Sequence, residues 1–522
     1  MTVSSLPQSV VRAAMRYPEK DAIRIEGSAL TYHELLCAAS QVANILKDQG
    51  ANKEAIGIVG QRHMASYVGV LGVLLAGCYY VPINPKLSED KVVSIIRDSE
   101  IKFLVGDIEN FEKIKTGLGS GCNIVSKIIP FEVAPDRDGW IDKGDINDKD
   151  TQIDIIDIDL DDLTYVMYTS GSTGDSKGVK VTHANVLAYL NAMSYLWNLP
   201  ENFNMSQFHD LSFDPSVSDI FYTWTNAGTL CVVPENEMLM PSDFIINEKI
   251  DVWSSVPSIG SFMLSMGVLD KGVFPDLKIV RFAGEPLSKK IAEAWQGAAP
   301  KSLVENHYGP TEATIDVLSF CYTRYNSKMT LSQGIPIGRP MKNMTVEVIG
   351  SDSGKVIQGS VGELAYKGPQ ITKGYLNDGN KTKAVFVQFD WDESGDIWYK
   401  SGDLGFLNDE GYFECVGRKD NQIKLGGRRI EIGEIESALS KFDLLQDVVV
   451  VAIKDEDKMT TGCVAFTTNT INEEEKSDIR KESAQYLEQI FFPKRIVTID
   501  EFSRLPSGKI DRKELSLMAQ KL

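Results

Sequence analysis

The apolar positions of the chain fall into short segments of alternating type. A helical pattern runs from Leu35 to Lys47 and stops near Gly50, and Ile56 to Val59 predicts a short strand. Ser66 to Leu75 predicts a helix, Tyr79 to Ile83 a strand, Glu89 to Asp98 a helix and Phe103 to Val105 a strand. Helix and strand in such alternation predict an α/β fold, with parallel sheets flanked by helices. Beyond about Gly334 the pattern changes to short strands with glycine-rich turns, among them Val346 to Ile349 and Gly362 to Tyr366. These predict a smaller β-rich subdomain. The tail reads as strand (Val448 to Ile453), strand (Cys463 to Thr467), helix (Glu473 to Gln489) and strand (Ile496 to Ile499), a compact α+β unit.

Composition bounds this picture. A chain of 522 residues exceeds one compact core, so at least two domains are expected. Hydrophobic content of 43% and charged content of 24% are ordinary for a soluble globular protein. The longest apolar stretch, Val68 to Ile83, is broken by glycines and reads as a helix plus a strand, too interrupted to span a membrane. No signal peptide is visible, and the seven cysteines are scattered without paired spacing, so a cytoplasmic protein with reduced thiols is expected. Only five histidines occur, none in a metal-binding pattern. A net charge of −19 disfavours nucleic acid and anionic membranes as partners. The aspartate-rich stretch from Asp142 to Asp162 reads as a solvated connection.

Candidate chemistry begins at Tyr168-Thr-Ser-Gly-Ser-Thr-Gly-Asp-Ser-Lys-Gly178, which follows an apolar run from Leu163 to Met167 and precedes a helical pattern from Asn185 to Leu196. Gly171 and Gly174 let the backbone bend, while Thr169, Ser170, Ser172 and Thr173 offer hydroxyls and Lys177 a positive charge. Such a loop suits phosphate groups. It lacks the Gly-Lys-Ser/Thr ending of a Walker loop, and a flexible surface loop is the bland alternative.

Two later segments change the balance: Glu305-Asn-His-Tyr-Gly-Pro-Thr-Glu-Ala-Thr314, and Tyr399-Lys-Ser-Gly-Asp403 continued by Gly417-Arg-Lys-Asp-Asn-Gln-Ile-Lys-Leu-Gly-Gly-Arg-Arg-Ile-Glu431. With the loop, these resemble the core motifs of the adenylate-forming ligases: acyl-CoA synthetases, luciferases and the adenylation enzymes of nonribosomal peptide assembly. The likeness runs from Leu30-Thr-Tyr-His-Glu-Leu35 to Leu505-Pro-Ser-Gly-Lys-Ile-Asp-Arg512. One departure is Ser176, where the family usually has proline.

The resemblance implies a large N-terminal core, residues 1–419, carrying the ATP and acyl pockets, and a small mobile C-terminal lid, residues 420–522. Asp420 would be the hinge; an ordinary turn is the alternative at that position. ATP and Mg²⁺ are implied, with Glu312 holding the metal and Thr311 bonding a phosphate oxygen. Lys509 would bridge the substrate carboxylate and the α-phosphate. Tyr308 would lie against adenine, Asn306 would read its amine, and Gly284, Glu285 and Pro286 would form another wall. Asp403 would accept the ribose hydroxyls with Arg418 close by, and Lys424 would serve a thioester-forming state.

Asp214, in Leu211-Ser-Phe-Asp-Pro-Ser-Val217, resembles the aspartate that amino-acid-activating members place against the substrate ammonium. A helix cap before Pro215 is the alternative. The other pocket positions implied are Pro215, Ser218, Ser254, Arg281, Ala283, His307, Ile315 and Asp316. Two readings of Arg281 and Asp316 remain: they pair and close the floor, or they bond a polar substrate side chain. Few residues follow Arg512, so the expected function is amino-acid activation followed by loading of a separate phosphopantetheinylated carrier protein. The alternatives are a D-alanine–D-alanyl carrier protein ligase, disfavoured by Ala283 where those enzymes carry cysteine, and an acyl- or aryl-CoA synthetase.

Overall fold

A computed structural model describes residues 5–118, 127–130, 158–169, 176–324, 334–420, 422–445, 447–455, 459–503 and 510–521. The loop residues Ser170 to Gly174 and Lys509 fall outside these, as does the stretch from Asp142 up to residue 157.

Two large sheets dominate among the described residues. One has nine strands in the order Arg339–Pro340, Leu318–Cys321, Leu303–Tyr308, Ile279–Phe282, Val252–Ser255, Asn204–Gln207, Thr229–Val232, Asp21–Ile25 and Ser28–Thr31. Its centre is parallel and its two ends are antiparallel. The other has six strands: Lys127–Pro130, Phe103–Gly106, Ala55–Val59, Tyr79–Ile83, Leu163–Thr169 and Lys177–Thr182. The helix Met64–Leu75 is buried from Ala65 to Leu75 and apolar all round, so it serves as core. A five-stranded, largely antiparallel sheet built from Thr345–Ile349, Gly362–Lys367, Phe386–Val387, Trp398–Leu407 and Phe413–Arg418 forms the expected β-rich part. Beyond it come the hairpin Gln422–Leu425/Arg428–Glu431 and a three-stranded sheet, Val449–Lys454, Thr460–Thr467 and Arg495–Thr498. That last sheet has its own apolar core around Ile435, Leu439, Val450 and Ala465.

The expected elements recur with small boundary shifts, and two points differ. Lys177 opens a strand, Lys177–Thr182, that returns antiparallel along Leu163–Thr169 before the helix His183–Leu196 begins. Two antiparallel strands, Leu163–Thr169 and Lys177–Thr182, therefore precede that helix. The tail helix is also shorter than predicted: Glu473–Glu482 gives way to short 3₁₀ turns at Ser483–Gln485 and Gln489–Phe491. There the Ser483 hydroxyl donates to the Arg480 carbonyl at 3.0 Å, a local bond of the kind that competes with the helical ladder. Among the described residues no helix is long and apolar enough to cross a membrane, and six cysteines are free.

Candidate active site

The strand ends of both large sheets and the turn of the Gln422–Glu431 hairpin enclose one cleft of about 1300 Å³, counting its open mouth. Thr169, Asp214, Thr311, Asp316, Asp403, Arg418, Lys424 and Arg429 all line it. Residues more than two hundred positions apart thus meet at one place.

Asp403 sits on the Trp398–Leu407 strand and accepts a hydrogen bond from the Tyr308 hydroxyl. Arg418, directly across the antiparallel pair, holds Asp403 at 2.7 Å and Asp420 at 2.6 Å. Asp420 also accepts from the Gln422 amide at 3.2 Å, so its carboxylate ties the two sides of the junction together. Lys424 lies over the Tyr308 ring at 5.4 Å. Asn306 is buried and donates to the Pro336 carbonyl at 2.9 Å.

Glu312 is fully buried. Its Oε1 accepts from the Tyr375 hydroxyl at 2.7 Å, and its Oε2 has no hydrogen-bond partner, with Arg429 3.5 Å away. Burial opposes ionisation, but Arg429, Tyr375 and Lys177 hold the carboxyl below the usual range. Lys177 lies 5.5 Å over the Tyr375 ring; burial and then the Arg429 charge lower its pKa. Tyr375 and Arg429 were not assigned from the sequence. Arg429 stood inside a quoted motif, whereas nothing local marks Tyr375.

Asp214 is 4% exposed, and its Oδ2 has no hydrogen-bond partner. It precedes Pro215–Thr225, yet its side chain makes no cap bond to that helix. The cap reading is corrected here: the residue adopts helical dihedrals itself, which turns the carboxylate away from the orphan amides. Burial, and then the nearby Asp316 charge, push it up to about 7.

Of the other pocket positions, Pro215, Ala283, Gly284, Ile315 and Asp316 line the cleft, while Ser218, Ser254, Arg281 and His307 lie behind its wall. Arg281 is fully buried; it pairs with Asp316, donates to Ser254 Oγ at 2.9 Å and lies 3.8 Å from Asp219. His307 is engaged by Glu305 at 2.9 Å rather than facing a ligand. Glu285 likewise spends its oxygens on backbone, accepting from Ser258 and Gly427 amides at 2.9 Å each, and Pro286 is exposed.

Ile315 and Asp316 reach the cleft through a strained turn. Thr314 and Ile315 have φ of 58° and 73°, unusual for β-branched residues. Gly309 lets this turn approach, since a Cβ there would stand 2.3 Å from the Ile315 carbonyl oxygen. Buried Gln370 fastens it, its side-chain amide donating to the Asp316 backbone carbonyl at 2.7 Å and its backbone carbonyl accepting from Thr314 Oγ1 at 2.6 Å.

Residues 10–376 match the AMP-binding enzyme family and residues 434–509 its C-terminal domain, so the chain belongs to the AMP-binding enzyme family. It is an AMP-forming ligase. Among relatives, it is 30% identical over 510 residues to surfactin synthase subunit 2 of Bacillus subtilis, covering 96% of this chain but 13% of that protein. To the D-alanine–D-alanyl carrier protein ligase of Bacillus velezensis it is 28% identical over 511 residues, covering 95% of this chain and 96% of the ligase. Among solved structures, the Vibrio cholerae adenylation domain AlmE in complex with glycyl-adenosine-5'-phosphate superposes with a TM-score of 0.86 at 27% identity, covering 100% of this chain and 99% of AlmE.

Proposed function

We propose that this ligase activates an amino acid as aminoacyl-AMP and then passes the aminoacyl group to the phosphopantetheine thiol of a carrier protein. The observation that carries the reading is Asp214, a buried carboxylate in the cleft with one oxygen unpartnered. A buried anion is costly unless a cation meets it, and an α-ammonium is such a cation. Fatty and aryl acids offer none.

In the first step a substrate carboxylate oxygen bonds to the α-phosphorus of ATP while the bond to the β-phosphate bridge breaks and pyrophosphate leaves. Positive charge must gather there. Lys177, Arg429 and Lys509 supply it, with Lys509 bridging carboxylate and phosphate. Asp403 and Tyr308 hold the nucleoside, with Arg418 paired to Asp403. The phosphates lie on the loop from Ser170 to Gly174 and on Thr311. In the second step a thiolate attacks the acyl carbon and AMP departs. Lys424 and the hairpin turn at Gly427, which line the cleft, serve that step.

Magnesium fits one position. Among the described residues no cluster of three or more His, Cys, Asp or Glu could hold a metal alone. Glu312 nevertheless keeps a buried oxygen without a hydrogen bond, and substrate phosphates would complete a hard oxygen shell. The ion would neutralise phosphate charge; Arg429 is the cation near that oxygen now. Residues 1–419 act as the core and 420–522 as the mobile lid, with Asp420 at the hinge.

The test is ATP–pyrophosphate exchange across L- and D-amino acids, with fatty and aryl acids as controls. Exchange that depends on an α-amino group is expected. Exchange only with acids lacking one overturns the reading, and a preference for D-alanine transfers it to the teichoic-acid type of carrier ligase.

A further inference from the structure

Asp316 lines the cleft, and its two carboxylate oxygens are used unequally. Oδ2 accepts from Arg281, lies 3.3 Å from His307 Nδ1 and receives the Tyr189 hydroxyl at 3.3 Å. Oδ1 takes no hydrogen bond from any described residue, and it is not among the atoms sealed off in protein. It is therefore the atom that this 2% exposed side chain presents to the cleft. The cleft lining also includes the apolar Met167, Pro215, Ala283 and Ile315, and the Asp214 carboxylate is near enough to Asp316 for the two charges to interact.

Arg281 stays behind this wall, fully buried and away from the cleft, so it cannot meet an acidic side chain. An acidic side chain would instead face the Asp316 carboxylate and be repelled. An apolar side chain would desolvate Oδ1 without replacing its hydrogen bonds. A short side chain with a donor satisfies it. The strained Thr314–Ile315 turn, fastened by Gln370, fixes the carboxylate in place.

We propose that Asp316 is a specificity-determining residue, accepting through Oδ1 a hydrogen bond from a hydroxyl or amine on a short substrate side chain. This rests on the reading that the cleft activates an amino acid. Serine, threonine and 2,3-diaminopropionate represent the favoured class; alanine, glycine and aspartate do not.

The experiment is ATP–pyrophosphate exchange with the full chain, compared as kcat/KM across those six amino acids, the chiral ones in both enantiomers, with leucine added. At least one donor-bearing member is expected to exceed alanine, its nearest donorless analogue, by about tenfold or more. Preference for alanine, glycine, leucine or aspartate overturns the proposal while leaving amino-acid activation intact. Exchange with no amino acid, but with fatty or aryl acids, removes the underlying reading instead. In a double variant, Arg281→Met with Asp316→Met, both members of the buried pair go together, and Asp219 loses Arg281 but keeps His209 at 2.8 Å. Its serine-to-alanine ratio is expected to fall to about one; an unchanged ratio overturns the proposal. Should that variant fail to fold, the unmodified chain's own preference still decides.

Discussion

At Asp214 the absence of a cation has a measurable signature. Its value of about 7 in the folded chain lies above the ~3.9 of an unfolded aspartate, so the folded state holds this proton longer. Stability from this group is therefore full below about pH 4 and is lost as pH rises to about 7. Asp214→Asn is expected to remove that slope, leaving the ligand-free protein on the order of 2 kcal/mol more stable than the unmodified chain at about pH 8 and little changed at about pH 4. Thermal unfolding at the two pH values checks this. Activity runs the opposite way: the ionised carboxylate is the form that meets an ammonium. The KM for the amino acid should rise as pH falls below about 7, approaching tenfold per unit, while the KM for ATP stays flatter. Parallel rises would assign the effect to the phosphate site.

The hairpin Gln422–Leu425/Arg428–Glu431 links the two parts of the chain at the scale of one element. Its turn meets the wall of the cleft at Gly427, whose φ is +76° and whose added Cβ would stand 2.5 Å from Val256. Gly284 faces it, and the Gly427 amide donates to Glu285. Neither the positive φ nor the close approach admits a larger residue without strain. Gly427→Val is expected to slow thiol acylation by tenfold or more, roughly the effect of a misplaced group near the chemistry, while pyrophosphate exchange changes much less. Single-turnover transfer to a phosphopantetheinylated carrier or to pantetheine, measured beside exchange, separates the two. Equal losses would mean that the turn serves both steps.

For the whole molecule, a small set of charges holds the tail against the core. Arg428 reaches Asp210 at 2.9 Å and also pairs with Glu488, Lys91 meets Glu434 at 3.2 Å, and Arg429 stands near Glu312. On the proposed motion of residues 420–522, the pairs that cross to Asp210, Lys91 and Glu312 are made and broken, while Arg428–Glu488 stays within the tail. Arg428→Ala removes the cation from Glu488 and from Asp210, which keeps its hydrogen bonds from Gln61, Asn84 and Ser212, and is expected to weaken this arrangement. The predicted result is slower thioester formation, with adenylation retained, and a lower salt dependence of the second step. An unchanged ratio of the two rates would detach these contacts from the catalytic cycle.

Much of this architecture was legible along the chain because helices and strands carry their own periodicity. Glu89–Asp98 and Tyr79–Ile83 emerge with the boundaries that pattern alone predicts. The motifs that mark an AMP-forming ligase are likewise contiguous, and they locate the residues lining the cleft. Local sequence could not say which charges neutralise one another. Asp214 satisfied the grammar of a cap, yet its dihedrals leave its carboxylate in the cleft. Arg281 and Asp316 stand 35 residues apart, and the turn at Thr314–Ile315 with its Gln370 clasp joins them as the floor. Periodicity is a property of neighbours along the chain. Pairing, burial and the open oxygen of Asp316 arise only when separate strands are brought together, which is why the tertiary structure decided them.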